Sequence, residues 1–190
     1  MDKALEQRFI ETLRNHLVTL PFDLKVLYEA KDDPNLERGV RETVCGAILY
    51  ILHTQESNER ILGRSDDVVM LRLVLAWVRA QGGADEFCER FGELFGALDE
   101  DLATYKSALG GTYAWLESKV GELRKQVHRA KKVVTYLDDD DSAEMLYEDG
   151  LEFGTNYEIT EEQIQGRLKQ SKPVLDYLER KKQLDSMRIT

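Results

Sequence analysis

"DDVVMLRLVLAWVRA", Asp66 to Ala80, holds the most apolar run of the chain, and its reading decides the fold. From Val68 to Val78 only Arg72 breaks the run. Eleven or so residues are too few to cross a bilayer, which takes about 20. A helix that is apolar nearly all round is instead one packed on several sides, so this segment is expected to be the central helix of a bundle.

The flanking segments carry the 3.6-residue period of helices that surround such a centre. Leu5, Phe9, Leu13, Leu17 and Leu20 predict a first amphipathic helix that stops near Pro21, and Phe22 to Ala30 a short second one. "KDDPN" is a turn, because the residue before Pro34 is pushed out of helical geometry, and Asn35 can cap the next helix. Val40, Val44, Ala47, Ile48 and Ile51 line that helix to about Leu52, and Phe87, Phe91, Leu94, Phe95 and Leu98 predict an aromatic-faced one after "QGGAD".

The second half changes character. Tyr113, Leu116, Val120, Leu123, Val127, Ala130, Val134 and Leu137 step by threes and fours, a heptad register flanked by Glu117, Lys119, Arg124 and Lys131. One long coiled-coil-like helix is expected. Alternation in "LEFGTNYEI" predicts a two-stranded hairpin or extended arm over 151–159, "TEEQ" a capping box from Thr160, and Pro173 the division before a last helix. The fold class expected is all-α: a multi-helix bundle with one long heptad-patterned helix and a short β-hairpin. The expected division is 1–110 for the bundle and 111–190 for the long helix with its C-terminal appendage.

Composition narrows the function classes. The 190 residues are 42% hydrophobic and 33% charged, with 3 prolines, 13 glycines and a formal net charge of -10. That balance suits one helical domain with an appendage and argues against nucleic acid as the main partner. The start, "MDKALEQRFIETL", is amphipathic and shows no secretory signal, which points to the cytoplasm. Cys45 and Cys88 fall at apolar-periodic positions without metal or redox spacing, as small core residues do.

"HTQESNERILGRSDD", His53 to Asp67, is the polar connection before the central helix. A metal-dependent or acid/base enzyme could be built there from His53, Glu56, Asp66 and Asp67. The simpler reading has Ser65 as N-cap, Asp66 and Asp67 in the first turn, where the helix dipole favours acids, and Gly63 turning the chain. A metal site would normally want a second histidine nearby in sequence, so the cap-and-turn reading is preferred. The acidic run Asp138 to Asp141 makes a poor calcium loop, because Ala143 stands where the sharp turn needs glycine and Asp149 where glutamate belongs. The basic stretch of Arg124, Lys125, His128, Arg129, Lys131 and Lys132 reads as a solvent-facing stripe, or as an electrostatic contact with an acidic partner.

"DPNLERGVRETVCGAILYIL" followed by "GRSDDVVMLRLVLAWV" resembles the small bacterial YkvA-like domain, whose biochemical role is largely undefined. In that family an Asp-Pro turn precedes an Ala-rich helix, a proline-rich loop comes next, and Gly-x-x-Asp-Asp opens the next apolar helix. The match lies at Asp33-Pro34, at Tyr50, and at Gly63 with Asp66 and Asp67. His53 to Arg60 replaces the proline-rich loop, and the resemblance covers roughly residues 20 to 80. It implies a helical fold and carries over only the aspartate pair.

The function expected is that of a non-enzymatic cytoplasmic interaction or scaffold protein without cofactor or catalytic residue. Its seam of Tyr113, Leu116, Val120, Leu123, Val127 and Val134, with Arg124 and Lys131, would serve self-association or a protein partner. Peripheral membrane contact through an amphipathic helix is a third expectation, weakened by the acidic balance. The alternative is the small enzyme centred on the His53–Asp67 connection.

Overall fold

The computed structural model describes residues 1–53 and 61–188. Glu56 of the polar connection lies outside the described residues. The chain is built of α1 (Lys3–Asp32), α2 (Arg38–Leu52), a 3-10 turn (Leu62–Arg64), α3 (Ser65–Arg79), α4 (Asp85–Arg90), α5 (Gly92–Leu109) and α6 (Gly111–Val120). Next come a second 3-10 turn (Leu123–Lys125), β1 (Val127–His128), β2 (Lys131–Lys132), α7 (Thr135–Asp138), α8 (Asp140–Asn156), α9 (Glu161–Arg167) and α10 (Lys172–Arg188). This is the expected all-α class with one short antiparallel hairpin. No helix among the described residues is long and apolar enough to cross a membrane.

The Asp66–Ala80 reading carries the architecture. Every α3 residue from Ser65 to Leu75, and Val78 after them, is buried, with α1, α2, α5 and α6 packed around it. The apolar core is one cluster running from Phe9 to Leu178, so the two expected parts share it.

Pro21 does not end the first helix: α1 runs through it for 30 residues. Proline has no N–H to give the carbonyl four residues back, which here belongs to Leu17. The Tyr157 hydroxyl, from the end of α8, donates to that Leu17 oxygen at 2.6 Å, so the helix crosses proline without an orphaned acceptor.

The heptad segment is not one helix either. After α6 the chain turns, forms the hairpin and enters α7. The hairpin pairs Val127 with Lys132 and His128 with Lys131. Its two turn residues, Arg129 and Ala130, have φ of 47° and 61°, the left-handed pair that a two-residue hairpin demands. The stop has a packing cause at Gly46 on α2. A Cβ there would drive far inside van der Waals contact of the Leu123 carbonyl, so glycine lets the 123–125 turn lie directly on the helix. Val133 and Tyr136, both fully buried, then fill the core in place of the expected Val134 and Leu137.

The hairpin expected over 151–159 is absent, because α8 covers the segment to Asn156. Its start explains why: Asp139 accepts from the Ser142 amide at 3.0 Å as N-cap, with Asp140 and Asp141 in the first turn. The acidic run is therefore a helix start. The capping box at Thr160 and Gln163 forms reciprocally, and α10 begins at Lys172, next to Pro173, as expected.

Candidate functional site

Three polar clusters are candidates. The first is the aspartate pair. Asp66 and Asp67 occupy the first turn of α3 as expected, but both are fully buried rather than solvated. Ser65 is not a side-chain cap; its hydroxyl is buried and finds no partner among the described residues. Asp67 Oδ2 pairs with Arg64 Nη1 at 2.9 Å, and the same guanidinium donates to the Ile51 carbonyl at 2.8 Å, which ties the end of α2 to the start of α3.

Asp66 Oδ2 accepts from the Tyr50 hydroxyl and from Lys181 Nζ, each at 2.5 Å, while its Oδ1 is buried without a partner among the described residues. Lys181 comes from α10, at the far end of the sequence. Burial opposes its charge, but the Asp66 and Asp67 carboxylates outweigh that and hold the ammonium above its ordinary range. Burial, then the same two carboxylates, pushes the Tyr50 phenol well above its usual range. Tyr50 and Lys181 also wall a cavity of about 410 Å³ with Trp115, Leu123, Leu184, Lys119 and Asp185. Lys119 Nζ meets Asp185 Oδ2 at 2.6 Å, and Trp115 Nε1 donates to the same oxygen at 3.1 Å. This is an aromatic-walled groove roofed by α10, with a buried charge pair at its edge.

The second cluster surrounds Arg72, the one interruption of the apolar run, which is 3% exposed. Its Nη2 donates to Asp23 Oδ2 of α1 at 2.7 Å, and the Thr19 hydroxyl donates to the same oxygen at 2.6 Å. His16 Nε2 lies 3.1 Å from Asp101 Oδ2 and 3.3 Å from Arg72 Nε, and it cannot both donate and accept. Asp101 is the nearer and can only accept, so Nε2 carries the proton, and the Tyr105 hydroxyl donates to Nδ1 at 2.7 Å. Burial, reinforced by Arg72 and opposed by the Asp101 bond, holds the His16 pKa below its ordinary value. With both ring nitrogens committed, His16 is a hub of hydrogen bonds rather than a base poised for an incoming molecule. The cluster floors a wide groove of about 660 Å³ rimmed by Arg90 and Glu93.

The third cluster supplies the second histidine that the polar connection lacks in sequence. His53, at the end of α2, meets His128 of the hairpin edge-on, ring centres 3.8 Å apart and planes at 77°. His128 Nε2 is 3.6 Å from Asp149 Oδ2, and Arg129 Nη2 binds Asp149 Oδ1 at 2.9 Å. Imidazoles sharing one ion at about 2.0–2.1 Å keep their ring centres roughly 5 Å apart, so this pair is too close to do so. Among the described residues no three His, Cys, Asp or Glu side chains form a group able to hold a metal ion.

The expected sites are thus redistributed. His53 joins His128, while Asp66 and Asp67 join Tyr50, Arg64 and Lys181. Of the seam, Tyr113, Leu116, Val120 and Leu123 turn into the protein's own core, while Val127 is 57% and Val134 37% exposed, Arg124 is exposed and Lys131 Nζ donates to the Ser142 hydroxyl at 2.7 Å. Sequence reasoning passed over Arg72 and His16 as sites; the signal was a lone arginine inside an otherwise apolar helix. Lys181 and Trp115 carry no local signal that singles them out, and Tyr50 stands out only through the YkvA-like resemblance. No protein-family model, no curated protein and no solved structure matches this chain.

Proposed function

We propose that this is a non-enzymatic helical interaction or scaffold protein of the cytoplasm, acting by self-association or by binding a protein partner. Its working face is the groove at α2, α6 and α10 rather than the heptad seam. One observation carries this reading: the last half of α10 roofs a 410 Å³ cavity walled by Tyr50, Trp115 and Leu123, with Leu184 62% exposed at its edge. Tyr and Trp are enriched at interface centres, and the exposed leucine adds apolar surface beside them. The charge pairs Lys119–Asp185 and Lys181–Asp66 supply register. The two other clusters are knit into ion pairs and hydrogen bonds that cross between helices, which suits a scaffold.

A photo-crosslinking amino acid placed at Leu184 tests the reading in cells, with the same group at exposed Glu161 as control. A discrete adduct, to a second copy or to one other protein, is expected from position 184 alone. No adduct at 184, or the same adducts from both positions, rejects it.

A further inference from the structure

α10 is held differently along its two halves. Val174 and Leu178 are fully buried, and both lie in its first half. Beyond them the helix rests on polar contacts: Glu179 Oε2 accepts from the Thr112 hydroxyl at 2.9 Å, Lys181 reaches Asp66, and Asp185 reaches Lys119 and Trp115. Beneath this half lies a cavity rather than a packed seam. Such a segment belongs to the least stable part of a structure and opens before the core does.

The connection to α9 is short. Leu168 is buried and its carbonyl accepts from Arg14, while Ser171 donates through its amide and hydroxyl to Glu6 Oε1 at 3.0 and 2.7 Å. Only Lys169 and Gln170 lie between these anchors, and Pro173 stiffens the first turn beyond them. Short hinge loops invite exchange of the element beyond them between copies, since every groove contact is remade in the exchanged form.

We propose that α10 is an exchangeable arm, and that the groove beneath it receives the α10 of a second copy of this chain. The occupant is set by complementarity: the groove presents an acid at Asp66, a cation at Lys119 and a donor at Thr112, and α10 presents Lys181, Asp185 and Glu179 at the matching places. The proposal rests on the reading of the groove as the working face, and it names the partner.

Charge complementation between full-length chains tests it. Lys119→Glu sets an acid against Asp185, and Asp185→Lys sets a cation against Lys119. Each variant alone therefore disfavours its own closure and its own swapped dimer. In a mixed dimer with exchanged arms, both pairs are restored as opposite charges. Native mass spectrometry of the mixture is expected to show a 1:1 heterodimer of twice the 21.9 kDa chain. It should exceed either homodimer by about tenfold, the ratio that two restored surface pairs can supply.

Wild-type dimers, together with a variant mixture that shows no heteromeric preference, overturn the exchange and leave self-association standing. A wild type that is monomeric throughout, with no heterodimer in the mixture, also rejects the exchange, and the crosslink at position 184 decides the broader reading separately. Should a charge variant fail to fold by circular dichroism, a wild-type hinge lengthened by roughly four glycine and serine residues after Gln170 answers instead. A swapped dimer shifts toward monomer, and an unchanged dimer rejects exchange.

Discussion

Replacing Arg72 with methionine isolates the contribution of the charged cluster inside the central helix. Methionine keeps the unbranched stem and the apolar contacts of α3, so the change is confined to the guanidinium. Its removal leaves Asp23 and Asp101, with side chains 13% and 17% exposed, without their cation. Breaking a buried ion pair on one side costs about 3–5 kcal/mol, because the remaining charge stays desolvated. Both carboxylates edge the 660 Å³ groove, where water can reach them, and Asp23 keeps its bond from Thr19. The lower end, about 3 kcal/mol, is therefore expected. For a chain of this size that is a fall of roughly 6–12 °C in Tm. Thermal and urea unfolding followed by circular dichroism would measure it. Adding Asp23→Asn and Asp101→Asn to Arg72→Met should restore most of the loss, since the orphaned charges go too. A single variant as stable as wild type, or a triple variant no better than the single, refutes the account of Arg72 as partner to both acids.

Gly46→Ala forces a methyl group into the Leu123 backbone, and unfolding titrations should show a loss of about 3 kcal/mol, at the upper end for overpacking because backbone cannot rotate away. Tyr157→Phe strands the Leu17 carbonyl beside Pro21, and urea titrations should show a loss of about 1–3 kcal/mol. His16, His53 and His128 are each held below the ordinary 6.5, burial being the first cause in every case. The unfolded chain then takes up protons that the folded one refuses. Stability is full above about pH 7 and falls as pH drops through 6.5 toward the folded values, and His16→Gln should flatten part of that slope in urea titrations run across the range. Burial pushes the Cys45 thiol up to about 12, so in the native protein a thiol reagent should label the partly exposed Cys88 and spare Cys45 until unfolding.

The elements that were legible in sequence are those whose apolar period and boundaries agree. α2, α3 and the capping box before α9 are of this kind: each has a helical pattern between turn residues, although neither Asn35 nor Ser65 serves as the expected side-chain cap. Pro21 misleads because its usual effect is local, whereas the remedy, Tyr157, sits far along the chain. The heptad of residues 113–137 misleads for the opposite reason. Its pattern is regular, yet the contact of Leu123 with Gly46 and the left-handed turn at Arg129–Ala130 are tertiary and override it. The same limit applies to the sites. Asp66 and Asp67 could be placed on the first turn of a helix from sequence. Their burial could not: Arg64, the partner of Asp67, lies close by in sequence, but Lys181 and Tyr50, which pair with and cover Asp66, are brought by other helices. Arg72 was visible as an anomaly, but nothing near it in sequence announces Asp23 and Asp101 as its counterparts.

The close approach at Gly46 also bears on how this protein can change its length. Connections on a protein surface ordinarily absorb added or deleted residues with little effect, since water surrounds them on most sides. The 121–126 turn has given up that latitude, because its backbone at Leu123 is seated on a helix. An insertion there would unseat the hairpin just beyond it and, with it, the Val133 and Tyr136 side chains that complete the core. Lineages of this chain should therefore hold a constant count between Val120 and Val127.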